Sequence, residues 1–332
     1  MKNISIRFLS VILTIAIVLV SLPLTVFATV NSGGSTYSDN SNTSSLGTTD
    51  TYMYELTHRR DEYTKHFRNP DGTVTAIQYS VPLHRLSEDG LWEDIDNTIA
   101  LSGNEYTTAD ARIKFAKKTT GNETLFTLND GNGKITMSLD GANKKIEGEV
   151  TNYVADDDAE NIVKMSHLEK LNSSIIYKNI LDGVDLEYVT VSSTIKENII
   201  LNSKRDSYEF TFTMKLNNMT ATENSSGGIS VYDSSNELVY KIAPPFMYDS
   251  AGVLSYNVFY TLVKNSNNEY KIKVTANKEW IESDERIFPI TIDPSVSPAD
   301  NSVTDLWVDS GYPNQNFSSL PALQLTSTSK IY

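Results

Sequence analysis

Tyr208-Glu209-Phe210-Thr211-Phe212-Thr213-Met214-Lys215-Leu216 decides the fold class of this chain. Large apolar side chains alternate with polar ones along it without a fault. A strand sends successive side chains to opposite faces, so the pattern describes one buried and one wet face. Phe210 and Phe212 are expected between two sheets. The same period recurs in Ile135, Met137 and Leu139, which alternate with Thr136 and Ser138. It recurs again in Tyr270, Ile272 and Val274, which alternate with Lys271 and Lys273. Asp71-Gly72, Asp89-Gly90, Gly131-Asn132-Gly133, Asp140-Gly141, Asp182-Gly183 and Gly227-Gly228 separate such runs. These residues supply the positive φ that tight hairpins need. The expected class is mostly β, with one or two antiparallel β-sandwich-like units followed by an incomplete β-module.

Working outward, residues 51–155 are expected as a first β-rich unit and 156–296 as a second, sandwich unit. Between them, Ala155 to Leu171 has helical character, with Ile162, Val163 and Leu168 on an approximate face. One short helix is expected there, or an irregular crossing between two β-units. Ile242-Ala243-Pro244-Pro245-Phe246 cannot lie in a central strand, because neither proline donates to a ladder. Ile287 to Pro294 reads as a final strand whose Pro289 marks an edge or bulge. Ser295 to Asn301 then reads as a polar linker and a domain boundary. Residues 302–332 read as the opening of a further module, with Asp305 to Ser310 as a strand and Gly311-Tyr312-Pro313-Asn314 as a turn. A lone hairpin is marginal in water, so the chain is expected to be a fragment of a longer protein.

The other end speaks to compartment. Lys2 and Arg7 precede an apolar run from Phe8 to Val20, Pro23 interrupts it, and Val26-Phe27-Ala28 offers small or medium residues to a signal peptidase. A signal peptide over residues 1–28 is expected, cut between Ala28 and Thr29. The rival is an uncleaved anchor, since about twenty apolar residues span a bilayer. Residues 29–50 are rich in Ser, Thr, Asn and Gly and read as a disordered tether. The chain has no cysteine, which for an exported protein suits a Gram-positive bacterium. Its formal charge of −14 repels phosphate backbones, so nucleic acid is not an expected partner of this part of the chain.

The sequence holds few residues in patterns that carry chemistry. His58, His66, His84 and His167 show no metal-ligand spacing, and no Gly-x-Ser-x-Gly elbow or phosphate loop occurs. Asp156-Asp157-Asp158 with Glu160 lacks the alternating ligands and central glycine of a calcium loop, and reads as solvated acids. Glu93, Asp94 and Asp96 beside Trp92 could hold a carboxylate pair for glycoside hydrolysis, with Asp94 and Asp96 on one face of a strand. An ordinary hairpin is the plainer reading. The basic stretch His58-Arg59-Arg60 reads as a solvated face. Tyrosines, with Trp92, Trp280 and Trp307, invite carbohydrate binding, although their strand positions favour core packing, and Trp280 is expected to cap the second sandwich from inside. No catalytic residue, metal or cofactor is expected, and no ligand-binding residue is assigned.

Several motifs carry a resemblance. Tyr63-Thr64-Lys65-His66-Phe67-Arg68, Val81-Pro82-Leu83-His84 and Gly90 to Thr98 resemble the N-terminal region of large secreted clostridial and bacillar surface proteins. Phe115-Ala116-Lys117-Lys118, Ala243 to Asp249 and Trp280 to Pro294 fit the same pattern. Such regions precede a module named for its DNRLRE motif, then RHS repeats and a variable effector, as in wall-associated proteins. Trp307 to Asn314 resembles the start of that module, which is similar to carbohydrate-binding modules. The resemblance implies a secreted or cell-wall-associated, non-enzymatic scaffold that presents downstream modules. Its alternative is binding to cell-wall or extracellular polysaccharide through the β-modules.

Overall fold

The computed structural model describes residues 54–298, apart from 71, 80, 88, 122–123, 130, 132, 153–167 and 267. The expected signal peptide, tether, acidic cluster 156–160, His167 and module at 302–332 lie outside the described residues. So does most of the expected helix, of which a 3-10 turn at Leu168–Leu171 is described.

The alternation read from the sequence holds. Tyr208, Phe210, Phe212, Met214 and Leu216 are buried, as are Ile135, Met137, Leu139, Tyr270, Ile272 and Val274. The strand Glu209–Asn217 lies between Lys134–Leu139 and Glu269–Ala276, antiparallel to both. Among the described residues these belong to an eight-stranded sheet, in the order Val258–Lys264, Glu269–Ala276, Glu209–Asn217, Lys134–Leu139, Phe126–Asn129, Ile113–Ala116, Glu105–Thr108, Ile99–Ser102. Among the described residues an eleven-stranded sheet has Gly148–Asn152, Asn172–Leu181, Val184–Val191 and Thr194–Leu201 on one side. Leu238–Ile242, Ile229–Tyr232 and Thr220–Glu223 form its other side, and Ile290–Asp293, Ser295–Pro298, Phe246–Asp249 and Leu254–Ser255 complete it.

One hydrophobic core joins the inner faces of both sheets. Phe126 of the eight-stranded sheet meets Tyr188 of the eleven-stranded sheet edge-on, with ring centroids 5.0 Å apart. Phe115 and Tyr177 pack around the same Tyr188 ring. Such pairs contribute about 0.5–1.5 kcal/mol beyond area burial. Both sides of the sandwich are stitched. The Asn152 carboxamide accepts from Ile99 N at 2.8 Å and donates to Ile99 O at 2.9 Å. On the far side, Glu223 Oε1 accepts from Leu262 N at 2.6 Å. These side chains satisfy edge groups that a free edge would offer to other chains.

Two boundaries expected from the sequence are redrawn. Lys134–Leu139 pairs with Glu209–Asn217, and Gly148–Asn152 with Asn172–Leu181. Both pairings cross the 155/156 division, so the two expected units contribute strands to one sandwich. Such pairings join segments far apart in the chain, and local patterning carries no record of them. Ser295–Pro298, expected within a linker, is a strand between Thr194–Leu201 and Leu238–Ile242. Ile290–Asp293 is also interior, between Thr194–Leu201 and Phe246–Asp249, with Pro289 just before it. The tandem prolines Pro244 and Pro245 fall between strands, as their missing donors require.

Two small sheets precede the sandwich. Tyr54–Glu55, Thr64–Arg68 and Val74–Gln78 form one, and the hairpin His84–Leu86 with Trp92–Asp94 forms the other. Leu83 and Ile95 pack on Leu171 in a satellite core. Asn97 fastens this part to the sandwich, its Nδ2 donating to Leu171 O at 2.7 Å and Ser192 O at 2.8 Å. The Ser173 hydroxyl donates to Asn97 O, and Ser192 Oγ donates to Pro82 O at 2.5 Å.

Candidate functional site

Three clusters of polar or aromatic side chains stand out. The first gathers sequence-distant charges on the small sheets. Arg60 makes a forked pair with Glu55, at 2.6 Å and 2.9 Å, and reaches Asp94 Oδ2 at 3.0 Å. Lys65, on an inward position of Thr64–Arg68, meets Asp94 Oδ1 at 2.5 Å. His84 Nδ1 lies 2.5 Å from Asp61 O, which assigns its proton to that nitrogen. Its Nε2 then faces Asp94 at 3.6 Å and Glu55 at 4.0 Å. Burial lowers the His84 pKa, and the Lys65 and Arg60 charges lower it further against the pull of Asp61 O and Asp94. Burial works to raise the Asp94 pKa, but the Lys65 bond and the Lys65 and Arg60 charges outweigh it and hold the group below its ordinary value.

This arrangement corrects two expectations. Asp94 and Asp96 do not share a strand face. The strand Trp92–Asp94 ends at Asp94, while Asp96 caps Thr98 N at 3.0 Å and pairs with Lys170 at 3.0 Å. Both aspartates have lowered pKa values, so neither is held protonated as a general acid requires. The basic stretch is not wholly a solvated face either, because Arg60 turns inward to close the network. Lys65 is 1% exposed and His84 is equally enclosed, which keeps any large substrate from both. Among the described residues, no group of three or more His, Asp and Glu is placed to hold a metal ion. Two carboxylates neutralise two cations, and the cluster ties Tyr54–Glu55, Thr64–Arg68 and Trp92–Asp94 together.

The second cluster lies inside the sandwich. Glu197 occupies an inward position between Ile195 and Ile199, directly opposite Tyr188 on the neighbouring strand. Burial pushes its pKa up to about 8, against a smaller lowering by the Tyr188 hydroxyl. Glu197 is not among the candidate residues read from the sequence. The signal was available in Thr194–Leu201, where a carboxylate interrupts the apolar face.

The third cluster lies on the outer face of the eleven-stranded sheet. Phe246 and Tyr248 alternate with the buried Met247 and Asp249, and their rings stack at 6.2 Å and 28°. Tyr256, 74% exposed, lies 6.5 Å from Phe246. Across the ladder Tyr248 faces Thr291 and Leu254, and Phe246 faces Asp293. On the same face Asn198 Nδ2 donates to Glu187 Oε2 at 3.0 Å. Burial raises the Glu187 pKa, with Asn198 and Ser174 opposing. Burial also raises the Tyr248 pKa, the Thr291 bond opposes it, and the Asp293 and Glu187 charges add to the rise. The Tyr248 hydroxyl is thus within electrostatic reach of both acids. Trp280 stands elsewhere, half-buried in the helix Lys278–Glu282 and packed against the core, with the Arg286 guanidinium 4.8 Å above its ring.

The chain is similar to wall-associated proteins of bacilli. It is 29% identical over 274 residues to the tRNA nuclease WapA of Bacillus subtilis (strain 168), covering 80% of this chain and 11% of that protein. The tRNA3(Ser)-specific nuclease WapA of Bacillus spizizenii is 29% identical over 277 residues, with the same shares of each chain. The wall-associated protein of Geobacillus stearothermophilus is 26% identical over 202 residues, which is 59% of this chain and 75% of that one. The chain therefore spans about a tenth of the length of the WapA nucleases it matches. No family model matches the chain, and no solved structure matches it. The likeness supports a cell-surface, wall-associated role. It also corrects the expectation of a non-enzymatic protein, because the WapA relatives are named as nucleases. Among the described residues, no helix is long and apolar enough to cross a membrane.

Proposed function

We propose that this chain is the wall-side β-sandwich of a surface protein of the tRNA nuclease type. The observation that carries the reading is the alignment of 80% of the chain with the WapA nucleases, together with its likeness to a protein named wall-associated. In this reading the sandwich holds its position at the wall, and tRNA cleavage is an activity of the whole protein. The formal charge of −14 favours tRNA contacts outside these strands. Export through a signal peptide cut between Ala28 and Thr29, and a DNRLRE module with repeats beyond it, belong to the same reading.

Fractionation of expressing cells tests it. The chain should be recovered from the wall fraction and the medium with Thr29 as its first residue. Recovery of the intact chain in the cytosol, with no wall-bound portion, would refute the reading. Polysaccharide binding is a compatible second reading, favoured by the exposed Tyr256 beside the half-buried rings of Phe246 and Tyr248.

A further inference from the structure

We infer that the outer face around Phe246, Tyr248 and Tyr256 is a binding site for a neutral polysaccharide. The inference deepens the wall-associated reading and rests on it.

Three properties of the face select that ligand. Its apolar part is aromatic, with Phe246 and Tyr248 near-parallel and Tyr256 tilted 49° to Phe246. Phe246 and Tyr248 stack at 6.2 Å, Tyr256 adds a ring that is 74% exposed, and Leu254 extends the surface beside Tyr248. Tyr256 and Leu254 both expose apolar surface beside the half-buried Phe246 and Tyr248, whereas scattered single residues are the norm on a soluble surface. Pyranose rings have apolar C–H faces of matching width, which stack on such rings.

Next to the rings lie hydrogen-bonding groups of mixed kind. Thr291 brings a hydroxyl that also bonds Tyr248, and Glu187 brings a largely buried carboxyl steadied by Asn198 and Ser174. A sugar hydroxyl both donates and accepts, so it can use either. A few placed polar groups beside an apolar platform is the usual composition of a small-ligand site.

Charge decides between glycans. Glu187 and Asp293 both act on the Tyr248 hydroxyl, and the chain as a whole is strongly acidic. Lys196 lies on the same outward face as Asn198, so the local charge is mixed, and an uncharged sugar chain suits it without the repulsion that the acidic chain as a whole offers to phosphate-bearing polymers.

Tyr256→Ala tests the assignment, because a residue so exposed can be truncated without disturbing the fold. The full secreted chain and the variant are titrated with a soluble hexamer of β-1,4-linked N-acetylglucosamine and a neutral glucose hexamer, followed by intrinsic fluorescence. Both proteins are also sedimented with isolated walls. Binding of at least one hexamer is expected, weakened at least ten-fold by Tyr256→Ala and unchanged by Tyr54→Ala, which removes an exposed tyrosine of the small sheets. Loss of wall retention in Tyr256→Ala with no hexamer binding by either protein would overturn the glycan assignment and point to a protein partner. Equal hexamer affinity of the parent chain and Tyr256→Ala would overturn the site while leaving the wall-associated reading standing. Failure of the parent chain to sediment with walls would count against that reading itself.

Discussion

Glu197 and Tyr188 face each other across adjacent strands, both pointing between the two sheets. A carboxyl in that position is held neutral, with a pKa near 8, because burial disfavours its charged form. Its pKa in the unfolded chain is about 4.3, so the folded state binds the proton more tightly. The stability gained from this proton is full below pH about 4.3 and is lost as pH rises through about 8. At pH 7 the accumulated loss is on the order of 3 kcal/mol. Glu197→Gln removes the titration, and its urea midpoint should exceed that of the parent at pH 8 by more than at pH 5. Identical pH slopes for the two proteins would show that Glu197 is not buried as described.

The charge cluster on the small sheets tilts the other way. The folded pKa of His84 is lowered, so acid favours the unfolded chain, and the stability it contributes above about 6.5 is lost as pH falls below that value. Asp94, also lowered, extends the loss further into acid. Trp92 reports on this cluster because its carbonyl accepts from Arg60 at 3.3 Å. Trp92 fluorescence should change between pH 6.5 and 4 before the sandwich melts, and Asp94→Asn should bring that change to higher pH. A single transition common to all probes would contradict it.

Asp94→Asn also probes the energetics at neutral pH. It leaves the enclosed Lys65 with Glu55 at 3.7 Å as its remaining carboxylate in this cluster. Breaking one side of a buried pair costs about 3–5 kcal/mol, and the partial exposure of Asp94 places this case at or below the lower end. Thermal denaturation of the variant gives the measurement.

Phe212 lies on the inner face of the eight-stranded sheet, and Thr211 points the other way. Phe212→Ala should cost about 3–5 kcal/mol. Thr211→Ser should cost less than about 0.5 kcal/mol. An inverted ranking in denaturant melts would mean that the strand register is shifted by one residue.

Asn152 closes one side of the sandwich through both backbone groups of Ile99. Asn152→Ala leaves those groups without this partner, at a cost of about 1–3 kcal/mol. Amide exchange at Ile99 should accelerate, with Phe212 and Ile272 unaffected. Uniform acceleration across both sheets would show global loosening instead.

What could be read from the sequence is what depends on near neighbours in the chain. Alternation at Tyr208 to Leu216 placed five side chains in the core, because strand pleating is a property of the local backbone. Asp182-Gly183 marked a hairpin turn, and Gly183 adopts φ +72° between Asn172–Leu181 and Val184–Val191. Pro244 and Pro245 marked a break because they lack donors. The tertiary structure alone decided which strands adjoin, since pairing Lys134–Leu139 with Glu209–Asn217 depends on burial shared by the whole sandwich. It alone gathered Glu55, Arg60, Lys65, His84 and Asp94, whose spacing in the chain follows no period. It alone set Tyr256 beside Phe246 while enclosing Glu197. Exposure is decided by what packs above a residue, and that neighbour lies far away in the chain.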